Sequence, residues 1–207
     1  SIVKAIGYAN DPATRMCILT MEYAGSKTLK DLLVSEGCKY FSDQKLVPLC
    51  HKLISALAHA HGQKVAHCDL KIDNVMYDAA THDIKLIDFG FAGTFETKVC
   101  SLFCGTPNYM APQILARKPF SPFKADVWAL GVVVYRLIFN KYPFIGTSER
   151  DLLHKINVCD IPFAVDGIKC SLKMQKFIRA LLINDEEQRL DMLGVERMFS
   201  ELFKVQL

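Results

Sequence analysis

No stretch of about twenty apolar residues occurs in this 207-residue chain, so no segment is long enough to cross a bilayer as a helix. The longest apolar run, Val127–Phe139, is broken by Arg136 and fits a helix buried in a globular core. No block of five basic residues is present, and 25 basic against 22 acidic residues leave a net charge of only +3. That charge is too small and too scattered to argue for nucleic acid or a membrane surface as partner. The opening residues SIVKAIGYAND do not form a signal peptide. There is no internal repeat, low-complexity tract or interdomain linker. Charged residues are 23% of the chain and hydrophobic ones 51%, which excludes a disordered or fibrous protein.

A chain of this length buries roughly 70% of its unfolded surface, enough for a core without disulfides or metals. The eight cysteines are scattered at 17, 38, 50, 68, 100, 104, 159 and 170. They read as free thiols in a reducing compartment, the cytoplasm with the nucleus as alternative. Cys100 and Cys104 have no second pair at ligand spacing, so they do not make a zinc site.

Short apolar runs at Ile2-Val3, Ala5-Ile6 and Met16–Tyr23, divided by Asn10-Asp11-Pro12, predict a hairpin. Thr28–Ser35 predicts a short helix. From Ser42, a plausible N-cap residue type, Leu46, Leu49, Leu53, Leu57 and Ala60 step at helical spacing. Strands are expected near Asn74–Tyr77 and Ile84–Ile87, and a long irregular segment, functional or disordered, over residues 89–122. After it come the buried helix and three further helices, at Glu149–Val158, around Met174–Leu182 and near residues 191–204.

The chemistry concentrates in His67-Cys68-Asp69-Leu70-Lys71-Ile72-Asp73-Asn74 and in Ile84-Lys85-Leu86-Ile87-Asp88-Phe89-Gly90. An Asn and an Asp can jointly hold a hard divalent cation that takes oxygen ligands and phosphate. A lysine can neutralise a transferring phosphoryl group, and a second Asp can accept a hydroxyl proton. Either half alone is equally a turn rich in Asp and Asn that satisfies its own backbone.

Together these segments resemble the eukaryotic protein kinases. HCDLKIDN is similar to the catalytic loop HRDLKxxN, and IKLIDFG to the metal-binding DFG motif on its strand. Gly105–Gln113 (GTPNYMAPQ) is similar to the segment that closes the activation loop, Asp126–Gly131 to the D-x-W-x-x-G of the central helix, and Arg189 to the late arginine that pairs with the APE glutamate. CGTPNYMAP and KYPF are most like the calmodulin-dependent and AMP-activated branch.

The resemblance implies an α+β fold, a mostly helical C-lobe with a remnant of the N-lobe sheet. Residues 1–22 would be that remnant, 23–27 the hinge and 28–207 the C-lobe. It implies ATP and Mg²⁺ as cofactors and a protein serine or threonine as acceptor. Asp69 would be the catalytic base, Lys71 a γ-phosphate contact, and Asn74 and Asp88 the metal ligands. Met21, Glu22 and Ala24 would line the adenine edge, with Met76 beneath it. Asp73 and Thr106 would meet the peptide substrate, and Ser101 would lie in the activation loop. Lys71 with Thr106 is the serine/threonine pattern, and Phe91 resembles serine-preferring members.

The departures carry expectations of their own. No G-x-G-x-x-G and no V-A-I-K lysine occur, so the first third of such a domain is expected to be absent. Losing one preorganised contact to a developing charge costs roughly 3–4 kcal/mol, and losing both elements more. Cys68 replaces the HRD arginine and Leu102 the usual phosphosite, so no phosphate latch is expected. Gln113 replaces the APE glutamate, leaving Arg189 a neutral acceptor. Arg136 stands where members that prefer arginine-rich substrates often place a glutamate, while Asp73 keeps one acidic contact. Two functions follow, a serine/threonine kinase or a kinase-like scaffold, the second with a capping or regulatory protein partner.

Overall fold

The computed structural model describes residues 1–35, 41–95 and 105–205. Cys38, Cys100, Ser101, Leu102 and Cys104, on which several expectations fall, lie outside the described residues. Strands β1 (Ala5–Asp11) and β2 (Met16–Met21) pair antiparallel. The turn between them sits later than the Asn10-Asp11-Pro12 signal suggests, because Asn10 and Asp11 still pair with Cys17 and Met16. The Asp11 carboxylate accepts from the Ala13 amide at 2.9 Å and the Thr14 hydroxyl at 2.6 Å, closing a turn on its own side chain.

Strand β3 (Lys27–Thr28) leads into α1 (Leu29–Ser35), whose first turn is tied by Asp31 accepting from the Thr28 amide and hydroxyl, both at 2.8 Å. Helix α2 (Asp43–Gly62) buries the expected stripe of Leu46, Leu49, Leu53, Leu57 and Ala60. Ser42 precedes it, but only its backbone carbonyl caps, accepting from Lys45 and Leu46; its side chain makes no capping bond. Strand β4 (Val65–Ala66) pairs with β7 (Gly93–Thr94), while β5 (Val75–Asp78) and β6 (Asp83–Leu86) join β3 in one sheet, in the order β3-β5-β6. Asn74 belongs to a tight 3-10 turn over Ile72–Asn74 rather than to the strand.

A short α3 (Pro112–Leu115) precedes α4 (Pro122–Phe139), which begins five residues before the apolar run because Pro122 fits a first helical turn and Ser121 Oγ accepts from the Lys124 amide. Nearly every residue of α4 is buried, so it forms the axis of the core. Helices α5 (Glu149–Val158), α6 (Leu172–Leu181) and α7 (Met192–Phe203) complete the body. A two-residue ladder, β8 (Ala164–Val165) with β9 (Ile168–Lys169), lies between α5 and α6. Helix α4 packs on α6, α7 and α2, and α2 packs on α7 and β6. At Gly131 an added Cβ would lie 2.8 Å from Leu182 and 2.9 Å from Leu181, so the α4–α6 contact requires the missing side chain. No helix among the described residues is long and apolar enough to cross a membrane.

The β1–β2 hairpin stands apart from this body. Ile6, Tyr8, Ile18 and Leu19 are all more than half exposed. The strands pack chiefly on each other, and the hairpin is tied down at its base, where the Val3 amide donates to Leu86 O at 3.0 Å and the Leu86 amide to Ser1 O at 2.8 Å.

Candidate active site

The site is organised by one buried carboxylate. Asp126, in the first turns of α4, accepts from the backbone amides of His67 at 2.8 Å and Cys68 at 2.9 Å, and bonds His61 Nε2 at 2.9 Å. A buried ion is tolerated only when hydrogen-bonded on most of its lone pairs, and Asp126 meets that condition. The two amides fix the start of the loop that carries Asp69, with Cys68 held at φ 63, in the left-handed region that non-glycine residues rarely adopt.

His67 ties this loop to the strand carrying Asp88. Its Nδ1 accepts from the Asp69 amide at 3.3 Å and its Nε2 faces the Ile87 carbonyl at 3.0 Å. A carbonyl only accepts, so the fully buried ring is the tautomer with hydrogen on Nε2. Its ring also packs on Phe89 with centroids 4.8 Å apart. The Ile87 amide donates to the Asn74 carbonyl at 2.9 Å, which brings Asp88 beside Asn74. Asp88 is exposed at φ 61, and its Oδ1 accepts from the Gly90 amide at 3.2 Å.

Asp69 collects the remaining groups. Lys71 Nζ donates to Asp69 Oδ2 at 2.6 Å and to Thr106 Oγ1 at 3.0 Å, while Thr106 Oγ1 donates to Asp69 Oδ1 at 3.0 Å. Asn74 Nδ2 donates to the Asp69 carbonyl at 3.0 Å and to its Oδ2 at 3.3 Å. Asp69, Lys71, Asn74 and Thr106, each expected at the site, thus form one hydrogen-bonded cluster across 37 residues of sequence. Gly105, at φ +102, lets the chain pass close to it, for a Cβ there would lie 3.0 Å from the Cys68 carbonyl.

Met21, Glu22, Ala24, Met76 and Asp88 line a single open cleft of about 940 Å³ between the hairpin base and the β5–β6 sheet. The Glu22 side chain braces that wall, with Oε1 accepting from the Lys4 amide at 2.8 Å and Oε2 paired with Lys85. Lys85 and that amide hold its carboxyl below the usual range. The Glu22 carbonyl and Ala24 amide make no hydrogen bond among the described residues. Asp73, expected to meet substrate, is paired with Lys30 at 2.6 Å.

Sequence reasoning passed over His61, His67 and Asp126 as site residues. The available signal was Asp126 itself, an acidic residue heading an otherwise apolar helix, where a charge persists only if bonded. Farther from the cleft, Arg189 is fully buried and donates to Gln113 Oε1 at 3.0 Å, Ile183 O at 2.8 Å, Lys124 O at 3.1 Å and Asn184 O at 3.3 Å.

The protein kinase domain family model matches residues 1–200. Developmentally-regulated protein kinase 1 of Dictyostelium discoideum is 36% identical over 190 residues, 91% of this chain and 26% of that protein. "Probable serine/threonine-protein kinase MARK-A" of the same organism is 32% identical over 144 residues, 69% of this chain and 13% of that protein. Serine/threonine-protein kinase PAK mbt of Drosophila melanogaster is 28% identical over 173 residues, 83% of this chain and 26% of that protein. The chain therefore spans well under two thirds of the relatives it matches. On the family match and on the order of its site residues, this chain belongs to the protein kinase domain family.

Proposed function

We propose that the protein transfers the γ-phosphoryl group of MgATP to a serine or threonine hydroxyl of a protein substrate. The observation that carries this reading is the Asp69–Lys71–Thr106–Asn74 cluster, tied through the Ile87 amide on the Asn74 carbonyl to the strand end that sets Asp88 in the wall of the cleft. Its residues divide the work by chemistry. Asp69 presents a buried carboxylate to accept the hydroxyl proton as the new P–O bond forms. Lys71, already 2.6 Å from Asp69, places its ammonium where charge develops on the moving phosphoryl group. Thr106 holds both partners and sets their separation.

The residues fit a divalent cation. Both hydrogens of Asn74 Nδ2 point to Asp69, which leaves the amide oxygen Oδ1 as the free ligand beside Asp88. One carboxylate and one amide oxygen suit Mg²⁺, which keeps waters and takes phosphate oxygens for its other positions. Among the described residues no group of three or more His, Cys, Asp or Glu is arranged to hold a metal, consistent with a site completed by the nucleotide. Such a cation would neutralise the phosphate charge and align the reacting oxygen. The cleft offers adenine the Glu22 carbonyl and Ala24 amide as edge partners and Met76 as an apolar surface.

The test is phosphate transfer from labelled ATP to serine peptides, with Asp69→Asn and Asp88→Asn compared. Removing the base should lower the rate by about 10²–10⁴-fold, and removing the cation ligand by a similar factor. Transfer at the unmodified rate in either variant overturns these assignments. Nucleotide binding without transfer in the unmodified protein would favour the scaffold function.

A further inference from the structure

A second group of charged side chains gathers around Asp73 and Tyr142. Asp73 is in the same loop as Lys71, and Tyr109 closes the 3-10 turn Pro107–Tyr109 that follows Thr106, so both are covalently close to the reacting residues. Arg136 of α4 lays its guanidinium over the Tyr142 ring, 4.3 Å from the centroid. Tyr142 meets Tyr109 edge-on at 5.5 Å. Asp73 and Arg136 both act electrostatically on Tyr109, and Arg136 and Tyr142 on Lys30, which places the five side chains in one patch.

The patch carries one acid and two bases, and the acid is already used. Lys30 Nζ sits 2.6 Å from Asp73 Oδ1 and cancels it. Arg136 meets no carboxylate among the described residues. Among the described residues its side chain makes one hydrogen bond, a long 3.5 Å contact from Nη2 to Asn140 Oδ1, and its buried Nε has no partner there. The Tyr109 hydroxyl, also buried, reaches toward the Ile72 backbone amide but completes no hydrogen bond of good geometry. Ring stacking orients a guanidinium without neutralising it, so the Nη edge keeps its full charge and most of its donors.

We propose that Arg136, presented on Tyr142 and Tyr109, forms a subsite for an acidic side chain of the peptide substrate near the acceptor residue. An Asp or Glu carboxylate would take two parallel N–H donors from the guanidinium edge. An arginine there would meet Arg136 and find Asp73 engaged by Lys30. The proposal deepens the kinase reading and rests on it for the identity of the ligand.

The experiment uses a matched set of serine peptides carrying Asp, Ala or Arg at each position flanking the acceptor. Binding is read by fluorescence anisotropy and transfer by labelled ATP. At one position the Asp peptide should bind about tenfold more tightly than the Arg peptide, the effect of a charge-assisted hydrogen bond. Arg136→Glu should invert that preference, and Lys30→Ala, an exposed change that leaves packing intact, should weaken discrimination against Arg by exposing Asp73. Equal binding of the three peptides at every position, or a preference that survives Arg136→Glu unchanged, overturns the proposal. An Arg136-dependent preference for Asp with no transfer to any peptide supports this subsite and refutes catalysis. Transfer without charge preference does the reverse.

Discussion

Replacing Gln113 with glutamate should stabilise the protein, because Arg189 is a buried cation surrounded by neutral oxygens. Its four acceptors are the Gln113 amide oxygen and three backbone carbonyls, and its guanidinium also sits 5.0 Å from the Trp128 ring centroid. Burial drives the Arg189 pKa down to about 10, well below the usual guanidinium range, although Glu186 and Asp185 pull it the other way. At about 1.36 kcal/mol per unit, that depression corresponds to roughly 3 kcal/mol against the charged form. A base with a lowered folded pKa carries this penalty at every pH below about 10 and sheds it as pH rises above 10 toward the ordinary guanidinium range.

A glutamate at 113 would set an anion where the amide oxygen now lies, 3.0 Å from Nη2, and remove most of the penalty. It would also lose the bond from Gln113 Nε2 to Asn184 O, worth about 1 kcal/mol. The expected net gain is about 1–2 kcal/mol, or a Tm rise of about 2–8 °C for a chain this size. Gln113→Ala, which removes an acceptor without supplying charge, should lower Tm by a comparable amount. Thermal unfolding at pH 7 and pH 10.5 checks both, and the advantage of the glutamate should shrink at the higher pH. A glutamate variant no more stable than the alanine variant, or an advantage that grows with pH, refutes the reasoning.

Asp126→Asn should destabilise by about 3–5 kcal/mol, since its amide would turn a donor toward two backbone amides and His61; denaturant unfolding measures it, and amide exchange at His67 and Cys68 should accelerate together. Gly131→Ala should cost about 1–3 kcal/mol by driving a methyl into Leu181 and Leu182, read as a lower denaturation midpoint at unchanged slope. The isolated 207-residue chain should self-associate, because the apolar side chains and open edges of the β1–β2 hairpin are uncovered; sedimentation of a clean monomer at micromolar concentration would contradict this.

The helices were legible where periodicity was sustained. The α2 stripe is local and survives into the structure, and α4 was visible as an apolar run although its start depended on Ser121 and Pro122. The two-residue ladders β4–β7 and β8–β9 were not visible, since such short pairings have no period and exist only because tertiary packing brings them together. The hairpin was legible as two short strands, and as an uncovered one only through the resemblance, since its apolar runs by themselves would indicate burial. The reactive residues could be named from short spacings and a family resemblance. The Arg189–Gln113 bond across 76 residues could be named from the resemblance too, but the support given by Asp126 could not, since it acts on residues 58 to 65 positions away. Side chains that act through distant partners leave only an indirect trace, a charge where the pattern calls for an apolar residue.

The tethering of the hairpin at its base has a mechanical consequence for the cleft. Strand β1 has seven residues, so the hairpin is an arm about 23 Å long. Its fastenings, at Ser1–Val3 on Leu86 and at Glu22 on Lys85, lie at one end. A rigid arm pinned at one end amplifies rotation with distance. By that strand length, a tilt of about 10° carries the Asp11–Met16 tip about 4 Å and Met21 less than about 1 Å. The floor at Met76 and Asp88 takes no part, being fixed to the sheet and to His67. One wall of the cleft is thus a lever and the other an anvil, and the opening between them varies most at the mouth and least at its fastened end.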